Sequence, residues 1–229
     1  MSLFAIADLH LSFGVDKPMD VFPGWDDYVT RVKENWLQLI RPEDTVVIAG
    51  DVSWGMSMEE ALPDFQFLES LPGTKLILKG NHDYWWNTRR KMDAFFEEKG
   101  LHSLRIVHND AVNVENTAAV CGTRGWFLDA EDDANHLVVL REVGRLKTSI
   151  AAAKSMNLRP IVFLHYPPYY GDETAEEIWN VLVEEEITEC YYGHVHSNGI
   201  KRAFNGEKDG VHLRLISCDG LRFCPLKIF

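Results

Sequence analysis

Basic residues are in deficit in this sequence: 23 Lys+Arg face 35 Asp+Glu, a formal charge of −12. That argues against a nucleic-acid polymer as partner, because such surfaces need a cationic excess to neutralise phosphates. A small phosphorylated substrate stays admissible, since a bound metal reverses the field locally. No apolar run reaches the ~18 residues that would span a membrane. Cysteine is scarce, and Cys121, Cys190, Cys218 and Cys224 form neither a C-x-x-C pair nor a zinc-ribbon spacing. They read as reduced thiols, with Cys218 and Cys224 as core filler rather than a bridge. A basic leader is also missing, and Asp8 and His10 come too early for a signal peptide. The expectation is a cytoplasmic protein with no membrane association. Repeats and Pro/Gly/Ser-rich linkers are absent too, so residues 1–229 are read as a single domain. A chain of 229 residues buries roughly 70–75% of its unfolded surface without disulfide or structural metal.

What is present is a recurring unit: a short apolar run followed by a side chain able to bind metal. Leu3–Ala7 leads into Asp8 and His10. Thr45–Ala49 leads through Gly50 into Asp51, and Lys75–Lys79 through Gly80 into Asn81, His82 and Asp83. Ile161–Leu164 leads into His165, and Glu189–Tyr192 through Gly193 into His194 and His196. Runs of four or five apolar residues suit strands buried on both faces.

Helical patterns separate them. Asp26–Ile40 places Val29, Val32, Trp36, Leu39 and Ile40 on one face. Ser57–Leu71 opens on a Ser57/Glu60 capping box, with Pro63 kinking the helix or delaying its start. Thr88–Lys99 stops at Gly100. Asp133–Met156 is long, with Gly144 as a point of interruption, and Glu173–Ile187 turns Ile178, Leu182 and Val183 inward. Strands alternating with helices indicate an α/β fold, whose ligands gather beyond the carboxyl ends of the strands. Arg105–Val107, Ala111–Val114, Ala118–Cys121 and Val211–Ser217 read as antiparallel pieces. Two mixed sheets packed face to face and flanked by helices accommodate both patterns.

Asp8, His10, Asp51, Asn81, His165, His194 and His196 are too many ligands for one tetrahedral zinc. They match two ions of higher coordination, with Asp51 able to bridge. Mixed imidazole, amide and carboxylate donors favour transition metals, Mn first and Fe, Zn or Co as alternatives, over Mg or Ca. Two such ions clamp a phosphoryl group during in-line displacement. His82, beside Asn81, fits proton donation to the leaving group. Asp83 either orients His82 or supports the ligands from behind. His102, His108, His136 and His212 lie outside the pattern and read as surface or packing residues. Tyr84, Trp85 and Trp86 read as packing or as an aromatic wall beside the site.

Asp8-Leu9-His10, Gly50-Asp51, Gly80-Asn81-His82-Asp83, the lone His165 and Gly193-His194-Val195-His196 stand in the order found in calcineurin-like metallophosphoesterases. The chain resembles that superfamily, in its bacterial-type Gly-Asn-His-Asp branch, from residue 8 to 196. The resemblance implies a four-layer α-β-β-α sandwich with a binuclear centre and hydrolysis of a phosphate monoester or diester by a metal-activated hydroxide. It implies that Asp8, His10, Asp51 and His196 hold one ion, and Asp51, Asn81, His165 and His194 the other. His82 would then assist the leaving group. Ser/Thr protein phosphatases follow Gly-Asp with an Asp-Arg-Gly. Here the stretch is Asp51-Val52-Ser53-Trp54-Gly55, which counts against a phosphoprotein substrate. Arg124 is the candidate replacement for that missing phosphate contact. With little protein-derived positive charge near the motifs, a diester or nucleotide-like substrate is favoured over a phosphoprotein. The alternatives are a protein-phosphatase-like monoesterase, a non-catalytic metal-binding module, and an amide or lactone hydrolase using His194-x-His196. Neither a protein partner nor an oligomeric state is legible.

Overall fold

The computed structural model describes residues 1–126 and 133–229, with the main chain only for residues 133–135. Its strands are β1 (Leu3–Ile6), β2 (Thr45–Ala49), β3 (Thr74–Leu78), β4 (Leu104–Ile106), β5 (Ala111–Val114), β6 (Ala118–Thr123) and β7 (Arg159–Leu164). They continue with β8 (Tyr169–Tyr170), β9 (Glu173–Thr174), β10 (Glu189–Tyr192), β11 (Gly206–Lys208), β12 (Val211–Leu215) and β13 (Leu226–Lys227). The helices are α1 (Tyr28–Leu39), α2 (Leu62–Ser70), α3 (Arg89–Glu98), α4 (Asp133–Ser155) and α5 (Glu176–Glu184). The chain divides into two compact units, Met1–Ile106 with Ile216–Phe229, and Val107–Leu215. Each contains a mixed sheet and the helices that follow its strands, the α/β class expected. Among the described residues no helix is long and apolar enough to cross a membrane.

In the first unit the sheet order is β13-β1-β2-β3-β4. β1 to β4 run parallel, and only the edge strand β13 is antiparallel. Every residue of β1 and β2 is buried, as strands covered on both faces require. α1 buries Tyr28, Val32 and Trp36 at helical spacing, and the Trp36 indole donates to the Pro72 carbonyl at 2.9 Å. Leu39, expected inward, is exposed, whereas Ile40 just past the helix end is buried. The chain turns extended at Ile40, so the apolar face closes with that residue instead. Ser57 Oγ does accept the Glu60 N–H at 3.2 Å, but this pair caps a turn, and the helix proper starts at Leu62 with Pro63 in its first turn. Gly100, at φ +71°, ends α3 as expected. The Leu101 N–H bonds to the Phe96 carbonyl and the Gly100 N–H to Glu97, the paired closure of a left-handed C-terminal cap.

In the second unit the order is β11-β12-β10-β7-β6-β5. The four central strands are parallel, and the two edges, β5 and β11, are antiparallel. The expectation of antiparallel pieces holds for Ala111–Val114 and needs correction for the other three. β4 pairs parallel with β3 because α3 carries the chain back across the first sheet before the strand begins. β6 and β12 each pair antiparallel with one neighbour and parallel with the other. The antiparallel partners arise from tight hairpins, with a three-residue loop (Glu115–Thr117) between β5 and β6 and a two-residue loop (Asp209-Gly210) between β11 and β12. Glu115-Asn116 and Asp209-Gly210 all have positive φ, as tight turns matching strand twist demand. α4 runs through Gly144 without a break. Segment 173–187 opens as strand β9, and α5 buries Ile178, Trp179, Val181 and Leu182. Val183, expected inward, is exposed, because it falls one residue past the face that Leu182 anchors.

Candidate metal centre

In the first unit Asp8 and Asp51 each lie two residues beyond a strand end. Both carboxylates are buried, and they approach within 4.8 Å of one another. His10, also buried, lies within the same distance of Asp8, and its Nε2 is 3.7 Å from Asp51 Oδ2. All three have left-handed backbones, at φ +61°, +46° and +52°. Side chains other than glycine hold such conformations at a cost of about 1–3 kcal/mol each, and they cluster at functional sites. Main-chain bonds tie the two loops together: Asp8 N–H to Gly50 O, His10 N–H to Asp51 O, Leu11 N–H to Val52 O and Trp54 N–H to Leu11 O.

Two residues that sequence reasoning missed secure the first loop from behind. The Tyr28 hydroxyl donates to the His10 carbonyl at 2.9 Å, and the Cys218 thiol to the Asp8 carbonyl at 3.1 Å. Burial pushes both groups well above their ordinary pKa, so they stay protonated as donors. Neither carries a signal in the sequence, because each acts through a tertiary contact.

Asn81 and His82 follow β3 in one half-buried turn. The His82 N–H donates to Asp51 Oδ1 at 2.8 Å. Its ring packs 4.5 Å from Trp54 and 5.8 Å from His10, and Trp54 stacks on His10 at 4.9 Å. Asp83 supports the ligand loop. Its buried carboxylate accepts the N–H groups of Gly80 (2.7 Å), Asp51 (2.9 Å) and Val52 (2.9 Å), and the Trp85 indole N–H (3.0 Å). Gly80 is sterically required, as a Cβ there would fall 2.1 Å from Asp51 Oδ1. Trp85 is core, while Tyr84 is exposed. Nearby, Asp64 accepts from Ser53 Oγ and from the Phe13 N–H at 2.7 Å; burial raises its pKa to about 6.

In the second unit His165 follows β7 directly and is fully buried. The Arg124 carbonyl accepts both the His165 N–H (3.1 Å) and the Tyr166 N–H (2.8 Å). The His165 carbonyl in turn accepts the Gly193 N–H at 3.1 Å, which draws the loop after β10 alongside. His194, left-handed at φ +70°, brings its ring 5.1 Å from His165 and 4.3 Å from Tyr166. His194 and His196 line one cavity of about 340 Å³. The Arg124 guanidinium sits 3.7 Å from Glu142 and 4.7 Å from the Trp126 ring, and its buried Nε has no hydrogen-bond partner among the described residues. His102, His136 and His212 are exposed and His108 half-buried, in keeping with surface or packing roles.

The family model of calcineurin-like phosphoesterases matches residues 1–198. The chain belongs to that family. No curated protein matches this phosphoesterase in sequence. Among solved structures it is similar in fold to a protein of unknown function from Aquifex aeolicus (14% identity, TM-score 0.53, covering 99% of this chain and 95% of that one). It is also similar to the phosphopantetheinyl hydrolase of Mycobacterium tuberculosis (14%, TM-score 0.52, 100% and 95%), and to a protein of Thermus thermophilus (15%, TM-score 0.55, 85% and 81%).

The donors fit the divalent metals usual for this phosphoesterase family. Two buried carboxylates within 4.8 Å repel one another in a poorly screened interior, and a divalent cation reverses that term. Imidazole beside carboxylate suits transition metals.

Proposed function

We propose that this phosphoesterase is a binuclear metalloenzyme cleaving phosphate esters. In this reading Asp8, His10, Asp51 and His196 hold one ion, and Asp51, Asn81, His165 and His194 the other, with Mn the first choice of metal and Fe, Zn or Co the others. The observation that carries it is the buried Asp8–Asp51 pair, held on left-handed backbone at two adjacent parallel strand ends. When bound, such ions acidify a water and stabilise the charge growing on the phosphoryl oxygens.

The chain's own residues supply the rest. Asp51 is fixed through Oδ1 by the His82 N–H and through its own N–H by Asp83, so its other oxygen keeps a set direction. The His82 ring, steadied against Trp54, donates a proton to the departing oxygen, an effect greatest when that oxygen is a poor leaving group. The imidazoles of His165 and His194 are aligned through the Arg124 and His165 carbonyls. Arg124 contributes to holding phosphate. A diester or nucleotide-like substrate is favoured over a phosphoprotein, since the loop after Asp51 offers Val52, Ser53 and Trp54 where protein phosphatases present an acid and an arginine. A phosphopantetheinyl hydrolase among the structural neighbours is compatible with a phosphate-ester substrate.

The test is hydrolysis of bis(p-nitrophenyl) phosphate and p-nitrophenyl phosphate with Mn added. Wild type turns over at least one of them, and Asp51→Asn lowers kcat about a thousandfold or more, the scale on which loss of an essential site charge acts. Undiminished activity in Asp51→Asn would remove the bridging carboxylate from the account.

A further inference from the structure

Asp64 lies in the first turn of α2, fully buried, and among the described residues it hydrogen-bonds to none of the candidate ligands. Its two oxygens serve two different loops. Oδ1 accepts the Phe13 N–H at 2.7 Å, on the loop that carries His10. Oδ2 accepts the Ser53 hydroxyl, on the loop that carries Asp51 and Trp54. Ser53 Oγ in turn accepts the Gly55 N–H at 3.0 Å, which closes the turn around Trp54. Both loops press on the residues just before α2. A Cβ on Gly14 would collide with the Glu60 carbonyl, and one on Gly55 would fall 2.6 Å from the Ala61 nitrogen. The loops also join each other, through the Leu11–Ser53 bridge and the Trp54 N–H on the Leu11 carbonyl at 2.9 Å. What this knot presents to the site is the Trp54 ring, stacked on His10 at 4.9 Å and 4.5 Å from His82.

A carboxyl in this place is costly. Both of its donors are neutral, and burial raises its pKa to about 6, so at neutral pH the fold carries an ionised acid without a counter-charge. From α1 the field of Tyr28, itself protonated, reaches it. Glu60, just before the helix, is turned to the Met56 N–H at 2.8 Å. An amide of the same shape would avoid the cost, but it would reverse one contact. An ionised carboxylate only accepts, so the Ser53 hydroxyl must donate to it and keeps its lone pairs for the Gly55 N–H. A protonated acid or an amide donates to Ser53 instead, and the Ser53 hydrogen is left buried without an acceptor. We propose that Asp64 is a positioning residue that fixes the Trp54 indole against the His10 and His82 rings, acting through the Ser53 hydroxyl. The proposal rests on the phosphoesterase reading only for its consequence, the aim of His82 at the leaving group.

The experiment follows the Trp54 indole N–H resonance, identified by its loss in Trp54→Phe, in the full-length chain with diamagnetic zinc added. The titration spans about pH 5 to about pH 8, the range in which this carboxyl and free imidazoles change charge. In wild type the resonance shifts with an inflection at about pH 6, where Asp64 ionises. Asp64→Asn, which keeps the shape, loses that inflection, and so does Ser53→Ala, which cuts the link and leaves the acid in place. A wild-type resonance without the inflection, or an inflection that persists in either variant, overturns the proposal; a purely structural Asp64 would lower stability and leave the curve in Ser53→Ala as it was. Hydrolysis of the aryl esters is a separate readout, so its failure strikes the proposed function and leaves this test standing.

Discussion

Two nearly fully buried carboxylates, one in each unit, support neighbouring candidate residues and are satisfied in opposite ways. Asp83 in the first unit and Glu142 in the second are each 1% exposed. Asp83 is surrounded by neutral donors, three of them backbone N–H groups within 2.9 Å. Glu142, on α4, takes its partners from side chains: the Thr123 hydroxyl, Arg145 Nη1 at 2.6 Å and Arg124 Nη2 at 3.7 Å. The first acid organises main chain, and through it the direction of Asp51. The second organises long side chains that can rearrange when it is lost. The contrast lies in the two acids and not in the ligand loops themselves, since the loops carrying His165 and His194 are also tied by main-chain hydrogen bonds, Arg124 O accepting the His165 N–H and His165 O the Gly193 N–H.

Breaking the first arrangement has the larger effect. Asp83→Ala leaves three buried N–H groups unsatisfied, and a loss of about 3–5 kcal/mol in unfolding free energy is expected. Denaturant unfolding measures it, and metal affinity should fall with it because the loop carrying Asp51 relaxes. Glu142→Gln keeps an acceptor for Thr123 and frees two arginines that reach water, so about 1–2 kcal/mol is expected in the same assay. If Glu142→Gln costs more than Asp83→Ala, the contrast between a backbone-held and a side-chain-held acid is wrong.

The difference also governed what could be read beforehand. Asp8, Asp51, Asn81 and His165 stood out in the sequence because each follows a strand whose last four residues are buried with a ligand chemistry that core packing does not need, whereas His194 follows the alternately buried β10 and stood out through its Gly-His-Val-His motif. Asp83 was visible as part of Gly80-Asn81-His82-Asp83, although its task, binding the amides of residues 80, 51 and 52, required coordinates. Glu142 looked like any acid on a helix. Tyr28 and Cys218 reach the Asp8–His10 loop from 18 and 210 positions away, and Asp64 gains meaning only from the two loops it joins. The strand directions missed at β4, β6 and β12 share one cause. Short strands without a helix on each side carry no local mark of parallel or antiparallel pairing.

The central proposal, that Asp8, His10, Asp51, Asn81, His165, His194 and His196 hold a pair of ions, is tested most directly by metal content. Elemental analysis of Mn-loaded, desalted protein should give close to two ions per chain for wild type. A shortfall should appear in both Asp51→Asn and His194→Ala, each altering one unit only. Wild-type protein with no bound transition metal, or a His194→Ala variant that retains both ions, would contradict it.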